Sequence, residues 1–307
     1  MENPIVFEVV KNSLTFCSEE MGIALRNAAY SPNIKDRMDH SCAIMDAGGR
    51  LLAQAEHIPV HLGSLPWGLK RTLQHMEEEG LNLAERDMIM VNNPYLSGTH
   101  LNDITLISPI FHRGEIVAYA ANKAHHSDVG GSVPGSIPAR GESIYEEGFI
   151  ANPVKLVARG KIDSNVLSLL SSNSRDAYQR KGDIRAQIAA NILGERRVKS
   201  LIADYGVKTF RDASESSLAY SERLMRLSIS SFCEDRGEAE DCMEMPGLGE
   251  VGMHVTVTRK GDAIRINYDG TAEQVPAPIN AVYGVTVSAV YYVLKCITDP
   301  DMLMNDG

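Results

Sequence analysis

Two short runs concentrate the residues able to do chemistry. Gly98-Thr99-His100-Leu101-Asn102-Asp103 carries an imidazole and a carboxylate three positions apart, and Asn122-Lys123-Ala124-His125-His126-Ser127-Asp128-Val129-Gly130-Gly131 carries two imidazoles and a further acid. Between them lie two strand-like stretches, Ile104 to Phe111 and Glu115 to Asn122, joined by His112-Arg113-Gly114. Paired as an antiparallel hairpin about Arg113, they set Asp103 beside Lys123 and Leu101 beside His125, which brings His100, Asp103 and His125 to one end. Two imidazoles and a carboxylate at a loop-rich strand end make an open site for a divalent metal, with positions left for water or substrate. Zinc, manganese and ferrous iron suit these donors; the imidazoles disfavour magnesium. A competing assignment has His100 capping a turn, Asp103 ending a strand and His125-His126 as a solvated pair, and spacing alone does not separate the two.

Other residues stand near this constellation in type. His57 and His61, in His57-Ile58-Pro59-Val60-His61-Leu62-Gly63, are four apart, but Pro59 argues against a helix that would aim both at one ion. Substrate or partner contact, or structural hydrogen bonding, explains them as well. Asp39 precedes a strand and is either an extra carboxylate ligand or a surface acid. Gly130, Gly131 and Gly135 look like a phosphate cradle, yet Pro134 and Pro138 interrupt any following helix, so a flexible lid or substrate loop fits better. No G-x-x-x-x-G-K-[ST], H-E-x-x-H or G-x-S-x-G motif occurs, and any nucleotide used is expected to bind another chain.

The elements that must position these residues read as α+β, with mainly antiparallel sheet and helices. Asn3 and Pro4 open a helix in which Val6, Val10, Leu14, Cys17, Met21, Ala24 and Ala28 recur at helical spacing, stopping at Ser31-Pro32-Asn33. Ser41 to Met45 and Leu51 to Gln54 flank a turn. A second helix is expected from Pro66 to Glu79 and a short buried strand at Met88 to Val91. The chain turns helical from Asp163 to Phe232, with one amphipathic stretch closing at Gly194 and another starting at Val207. After an acidic patch at Glu234 to Glu244 come strands at Val251 to Thr258 and Ala263 to Tyr268, then an apolar helix from Ala281 to Ile297. Three regions result: 1–162 with the metal site, 163–236 helical, and 237–307 with a hairpin and helix.

The 307 residues are 44% hydrophobic, enough for sizeable packed cores, and carry a net charge of −10. That charge repels phosphate backbones and anionic lipid, so neither nucleic acid nor a membrane surface is an expected partner. The start is acidic and no apolar run nears the roughly 20 residues of a bilayer span, which leads to a cytoplasmic expectation. Cys17, Cys42, Cys233, Cys242 and Cys296 are odd in number and widely spaced, so buried reduced thiols are expected rather than disulfides or a cysteine zinc site.

Taken together, several of these runs resemble one family. Asn93-Pro94-Tyr95, the His100 run, His125-His126-Ser127-Asp128-Val129-Gly130-Gly131, Ile34 to Ala43, His57-Ile58-Pro59-Val60-His61-Leu62-Gly63, Pro153-Val154-Lys155-Leu156 and Pro276 to Ala281 resemble the hallmark segments of the hydantoinase B/5-oxoprolinase family, in order and across essentially the whole chain. The chain departs from the family at His40, where an aromatic residue is usual.

The resemblance implies the metal-bearing B component of an ATP-dependent hydrolase of cyclic amides such as hydantoins, 5-oxoproline or related lactams, with cousins in acetone carboxylase. A partner A-type subunit would bind ATP and phosphorylate the amide oxygen, giving a hetero-oligomer. By the same resemblance, one divalent ion (Zn, Mn or Fe) falls to His100, Asp103 and His125, with Asp39 as a further carboxylate ligand. His126 and Asp128 would either move protons or support the ligands, or only stabilise the glycine turn. Family members are longer, and Asp299 to Gly307 resembles an internal segment of theirs, so the chain is expected to be the N-terminal portion of a longer fold, truncated at its C-terminus. Rival readings are a self-sufficient metal-dependent amidohydrolase and a non-catalytic fragment that binds the partner.

Overall fold

A computed structural model describes residues 4–307; the Asn3 cap falls outside the described residues. In chain order, α1 (Pro4–Ala28) and the single turn α2 (Pro32–Lys35) lead into the hairpin β1 (His40–Asp46) and β2 (Leu51–Ala55). Next come α3 (His61–Glu78), β3 (Met88–Val91), the single turn α4 (Pro94–Ser97), β4 (Asp103–His112) and β5 (Glu115–His125). β6 (Val154–Ala158) and β7 (Lys161–Ile162) precede α5 (Ser164–Ser172), α6 (Ala177–Tyr205) and α7 (Val207–Ser230). β8 (Arg236–Met245), β9 (Gly249–Lys260), β10 (Ala263–Asn267) and α8 (Tyr283–Ile297) complete the order.

Seven strands form one antiparallel sheet in the order β2-β1-β5-β4-β3-β6-β7, covered on both faces. Because strand side chains alternate, β5 sends Ala118, Ala120 and Ala124 towards α1 and α6, and Tyr119 and Ala121 towards α3. Val10, Leu14, Cys17, Met21 and Leu25 form the buried stripe of α1. A third cluster joins β3, β4 and β6 to α5 and α6 through Met88, Leu106, Leu156, Leu170 and Ile188. The observed class is α+β with mainly antiparallel strands, as expected from the pattern of elements.

Several local expectations change. The helix expected to close at Gly194 runs on to Tyr205, because Gly194 is a packing residue: a Cβ there would overlap the Met21 sulfur, so its bare backbone lets α6 cross α1. α3 begins at His61, not Pro66. Val60, at its N-cap, has no capping side chain, and the Ser288 hydroxyl of α8 accepts from Gly63 N and Ser64 N at 3.0 Å each. A cap supplied from a distant element leaves no local signal. The acidic patch is strand β8, which pairs with β9 from Arg236↔Thr258 to Met245↔Gly249 in a separate three-stranded sheet, β10-β9-β8. Cys17 and Cys42 are buried and free, whereas Cys233, Cys242 and Cys296 are free but exposed. Among the described residues no helix is long and apolar enough to cross a membrane.

The β4–β5 register decides the geometry of the site. Arg113 and Gly114, at φ 52° and 86°, form a two-residue turn with both central residues left-handed, the type I′ pattern. Its centre lies half a residue beyond Arg113, which moves each partner by one, and a bulge between Ile110 and Phe111 moves it by one more. Asp103 therefore pairs with His125, not Lys123.

Candidate metal centre

Five side chains converge at one end of the large sheet, on its α3 face. Asp103 opens β4 and His125 closes β5 directly opposite, with His125 Nδ1 3.1 Å from Asp103 Oδ1. His100 sits in the turn after α4, entered through Gly98 at φ 94° and closed by a bond from Asp103 N to the His100 carbonyl at 3.0 Å. Its Nε2 lies 3.0 Å from His125 Nδ1 and its Nδ1 3.4 Å from Asp103 Oδ2. Asp39 leads into β1, where its carbonyl accepts from His125 N at 2.9 Å and its Oδ2 lies 4.0 Å from His125 Nδ1. His61, the first residue of α3, puts Nε2 3.3 Å from Asp103 Oδ2 and Nδ1 3.1 Å from Ser41 Oγ.

These residues fit a metal ion. Donor atoms each about 2.0–2.2 Å from a common centre stand about 3–3.5 Å apart in tetrahedral or cis-octahedral arrangements. His125 Nδ1 has His100 Nε2 at 3.0 Å and Asp103 Oδ1 at 3.1 Å, and one ligand atom from each of the three residues lies within 4.8 Å of the others. Asp39, His61 and Asp103 make an overlapping group whose donor atoms also lie within 4.8 Å of one another. Asp103 and His61 are fully buried, and the His100 side chain is 38% exposed, so approach from solvent is past His100.

The electrostatics suit a cation. Burial raises the Asp103 carboxyl, but His100 and the hydrogen bonds with His125 and His61 outweigh it and hold the group well below the usual carboxylate range. Burial lowers His61, which favours the neutral imidazole that a ligand must be. For His125, burial acts downward and the hydrogen bond to Asp103 prevails, raising it. Beneath the cluster, burial pushes the Lys123 ammonium down to about 8; its Nζ donates to the Ser97 carbonyl at 2.5 Å and to Ser64 Oγ at 3.3 Å, tying α4 to α3.

Sequence reasoning selected His100, Asp103, His125 and Asp39, and the structure brings all four together. His61 joins them and His57 does not: His57 stacks on His40 with ring centroids 4.5 Å apart and lies 3.3 Å from the Ala55 carbonyl. Pro59 indeed keeps the pair off one helix, because α3 starts only at His61. His126 and Asp128 are not brought to the cluster. His126 points to the opposite face of the sheet, where Nε2 lies 2.9 Å from Gln187 Oε1 and Nδ1 contacts the Arg180 guanidinium. Asp128 accepts from Gly130 N, Gly135 N, Arg175 N and Arg175 Nη1, which are the contacts of the turn-holding alternative. Gly130 and Gly131 are at φ 95° and 80°, and a Cβ at either would strike the Asn173 or the Glu146 carbonyl. Lys123, Arg180 and Gln187, all fully buried, were not singled out, since nothing in their local sequence marks a polar residue as interior.

Residues 3–307 match the model of the family described as hydantoinase B/oxoprolinase. An uncharacterized protein of Methanocaldococcus jannaschii, MJ0963, is 47% identical over 99% of this chain and 54% of its own length. The B component of a putative D-/L-hydantoinase from a Pseudomonas species is 32% identical over 96% of this chain and 52% of its own. The crystal structure of an ATP-dependent caprolactamase from Pseudomonas jessenii superposes with a TM-score of 0.89 at 31% identity, covering 96% of this chain and 50% of that one. The chain thus spans about half the length of these relatives. With the family model matched from end to end and the motif residues gathered at one sheet end, the chain belongs to the hydantoinase B/oxoprolinase family.

Proposed function

We propose that this chain is the metal-bearing part of an ATP-dependent hydrolase of cyclic amides, which acts on an amide phosphorylated at the ATP site of an A-type partner. The observation that carries the reading is the gathering of Asp39, His61, His100, Asp103 and His125 into two overlapping donor groups that share Asp103. His100, Asp103 and His125 would hold a zinc, manganese or ferrous ion, with Asp39 as a further ligand and His61 as either a ligand or the group that fixes Asp103. When bound, such an ion would act as a Lewis acid, lowering the pKa of a water from 15.7 towards about 7.

The chain's own residues do the rest. Asp103 stays ionised against burial and so retains cation affinity, while Ser41 and Asp103 orient the His61 ring from its two nitrogens. Exposure at His100 leaves the approach for a substrate. An unstrained amide resists water, and prior phosphorylation of its oxygen would make its carbon a better electrophile for water; the lack of a nucleotide motif in these 307 residues fits a nucleotide bound outside them.

The test is an assay of the full-length protein with its A-type partner against a panel of hydantoins, 5-oxoproline and lactams. Hydrolysis should require both proteins and ATP, and should be lost in Asp103→Ala. Hydrolysis by this polypeptide without nucleotide overturns the reading in favour of a self-sufficient amidohydrolase. A folded chain that holds no metal and never supports turnover favours a binding role alone.

A further inference from the structure

The face of α6 turned to the sheet is polar where a core would be apolar. Arg180, Asp183, Gln187 and Asn191 are all fully buried there at helical spacing. Buried polar groups must find partners, and apart from Asp183, whose Oδ1 accepts from Tyr30 N and Ser31 N while its Oδ2 has no hydrogen bond, the bonds of this row go to the two segments that carry the metal ligands. Gln187 Nε2 donates to the Ile104 carbonyl and to Asn122 Oδ1, both at 2.8 Å, and Asn122 Nδ2 returns a bond to the Gln187 carbonyl at 2.8 Å. Gln187 Oε1 lies 2.9 Å from His126 Nε2. Ile104 follows Asp103 and His126 follows His125, so a single side chain grips the residue after each member of the facing ligand pair.

The surrounding bonds give this grip a direction. Arg180 can only donate, so His126 Nδ1 accepts from it, and Nε2 carries the proton that Gln187 Oε1 receives. Arg180 also donates twice to the Asp128 carbonyl, at 3.1 and 2.5 Å. From the other side, the Asn102 carbonyl accepts from His126 N at 2.8 Å and Asn102 Nδ2 donates to the His126 carbonyl at 2.9 Å. The chain just beyond His125 is therefore held by side chains at both its ring and its backbone.

We propose that Gln187 is a positioning residue that sets the separation of the Asp103 and His125 donor atoms from the opposite face of the sheet, a role that rests on the metal reading above. It touches neither ligand, and acts by holding the peptide after Asp103 and the ring after His125 to one amide. Asn191 is its natural control: it belongs to the same row and bonds Asn122, the Leu106 carbonyl and Ser108, farther along β4 from the ligands.

The experiment compares Gln187→Met with Asn191→Leu in the full chain, measuring zinc affinity by chelator competition and thermal unfolding of the metal-free protein. Both variants should unfold at lower temperature, but only Gln187→Met should weaken zinc binding, by about tenfold. Unchanged zinc affinity in Gln187→Met overturns the proposal, as does equal weakening in Asn191→Leu, which would make the effect one of general stability. If Gln187→Met does not fold, Gln187→Asn, one methylene shorter, gives the same readout. A wild-type chain that binds no zinc, manganese or ferrous iron overturns the metal reading itself, and is told apart from failure of this proposal by the wild-type titration alone.

Discussion

Asp103 and His125 face each other across the β4–β5 pair, with carboxylate and imidazole 3.1 Å apart, at the point where the sheet stops and the loops begin. A strand end of this kind fixes the backbone beneath each side chain and leaves the space beyond it free. His100 and Asp39 enter that space from loops, and His61 enters from the first turn of α3.

The two histidines of the His57–His61 pair should behave differently. Replacement of Asp103 or His100 by Ala should weaken divalent-metal affinity by more than about 100-fold, and His61→Ala by about 10–100-fold, the range found when a group that holds a ligand is removed. His57→Ala should leave metal affinity unchanged, because its ring stacks on His40 and lies outside the cluster. Chelator competition and metal analysis of the purified variants read this directly; a His61→Ala protein with wild-type affinity would remove His61 from the centre.

Gly194 should be intolerant of any side chain. A Cβ there overlaps Met21, so Gly194→Ala is expected to cost about 1–3 kcal/mol in denaturant unfolding. Met21→Ala clears the same space, so the double variant should be more stable than the sum of the two single losses implies. Strict additivity would show that the two residues do not meet.

Stability should fall in acid partly through Asp87. This buried carboxylate accepts from Ala84 N at 2.9 Å and Arg159 N at 2.8 Å, and pairs with Lys155 at 2.9 Å. Burial acts to raise it, but the bonds from Arg159, Lys155 and Ala84 prevail and lower it. A folded-state value below the unfolded value of about 3.9 means stability that is present above that pH and lost as pH falls through the folded value. Asp87→Asn should therefore be less stable than wild type near neutral pH, with the gap closing below about pH 4. Urea midpoints measured across that interval check it; a constant gap would exclude the carboxylate's charge as the source.

Much of the donor set was legible because its residue types are chemically specific and lie beside the strands that pair. Bringing His100, Asp103 and His125 together needed only a hairpin, which the strand-like runs on both sides of Arg113 announce, whereas Asp39 entered through the family resemblance. The exact facing was not legible, because it depends on a two-residue turn and a bulge that alternation does not reveal. α3 was read five residues short because Ser288, far along the chain, supplies its cap. β8 showed in the sequence only as an acidic patch because none of its residues is buried, leaving no hydrophobic pattern to detect.

By itself, the sequence determined which atoms were available: imidazoles and carboxylates in ordered motifs, the family they belong to, and a mainly antiparallel α+β chain. Only the tertiary structure decided which of them meet. It set Asp103 opposite His125, recruited His61 while leaving His57 against His40, and turned His126 to the far face beneath Gln187 and Arg180. The reason is that side-chain direction alternates residue by residue along a strand, so adjacent histidines 125 and 126 occupy opposite sides of one sheet, a distinction set by register and by what packs on each face.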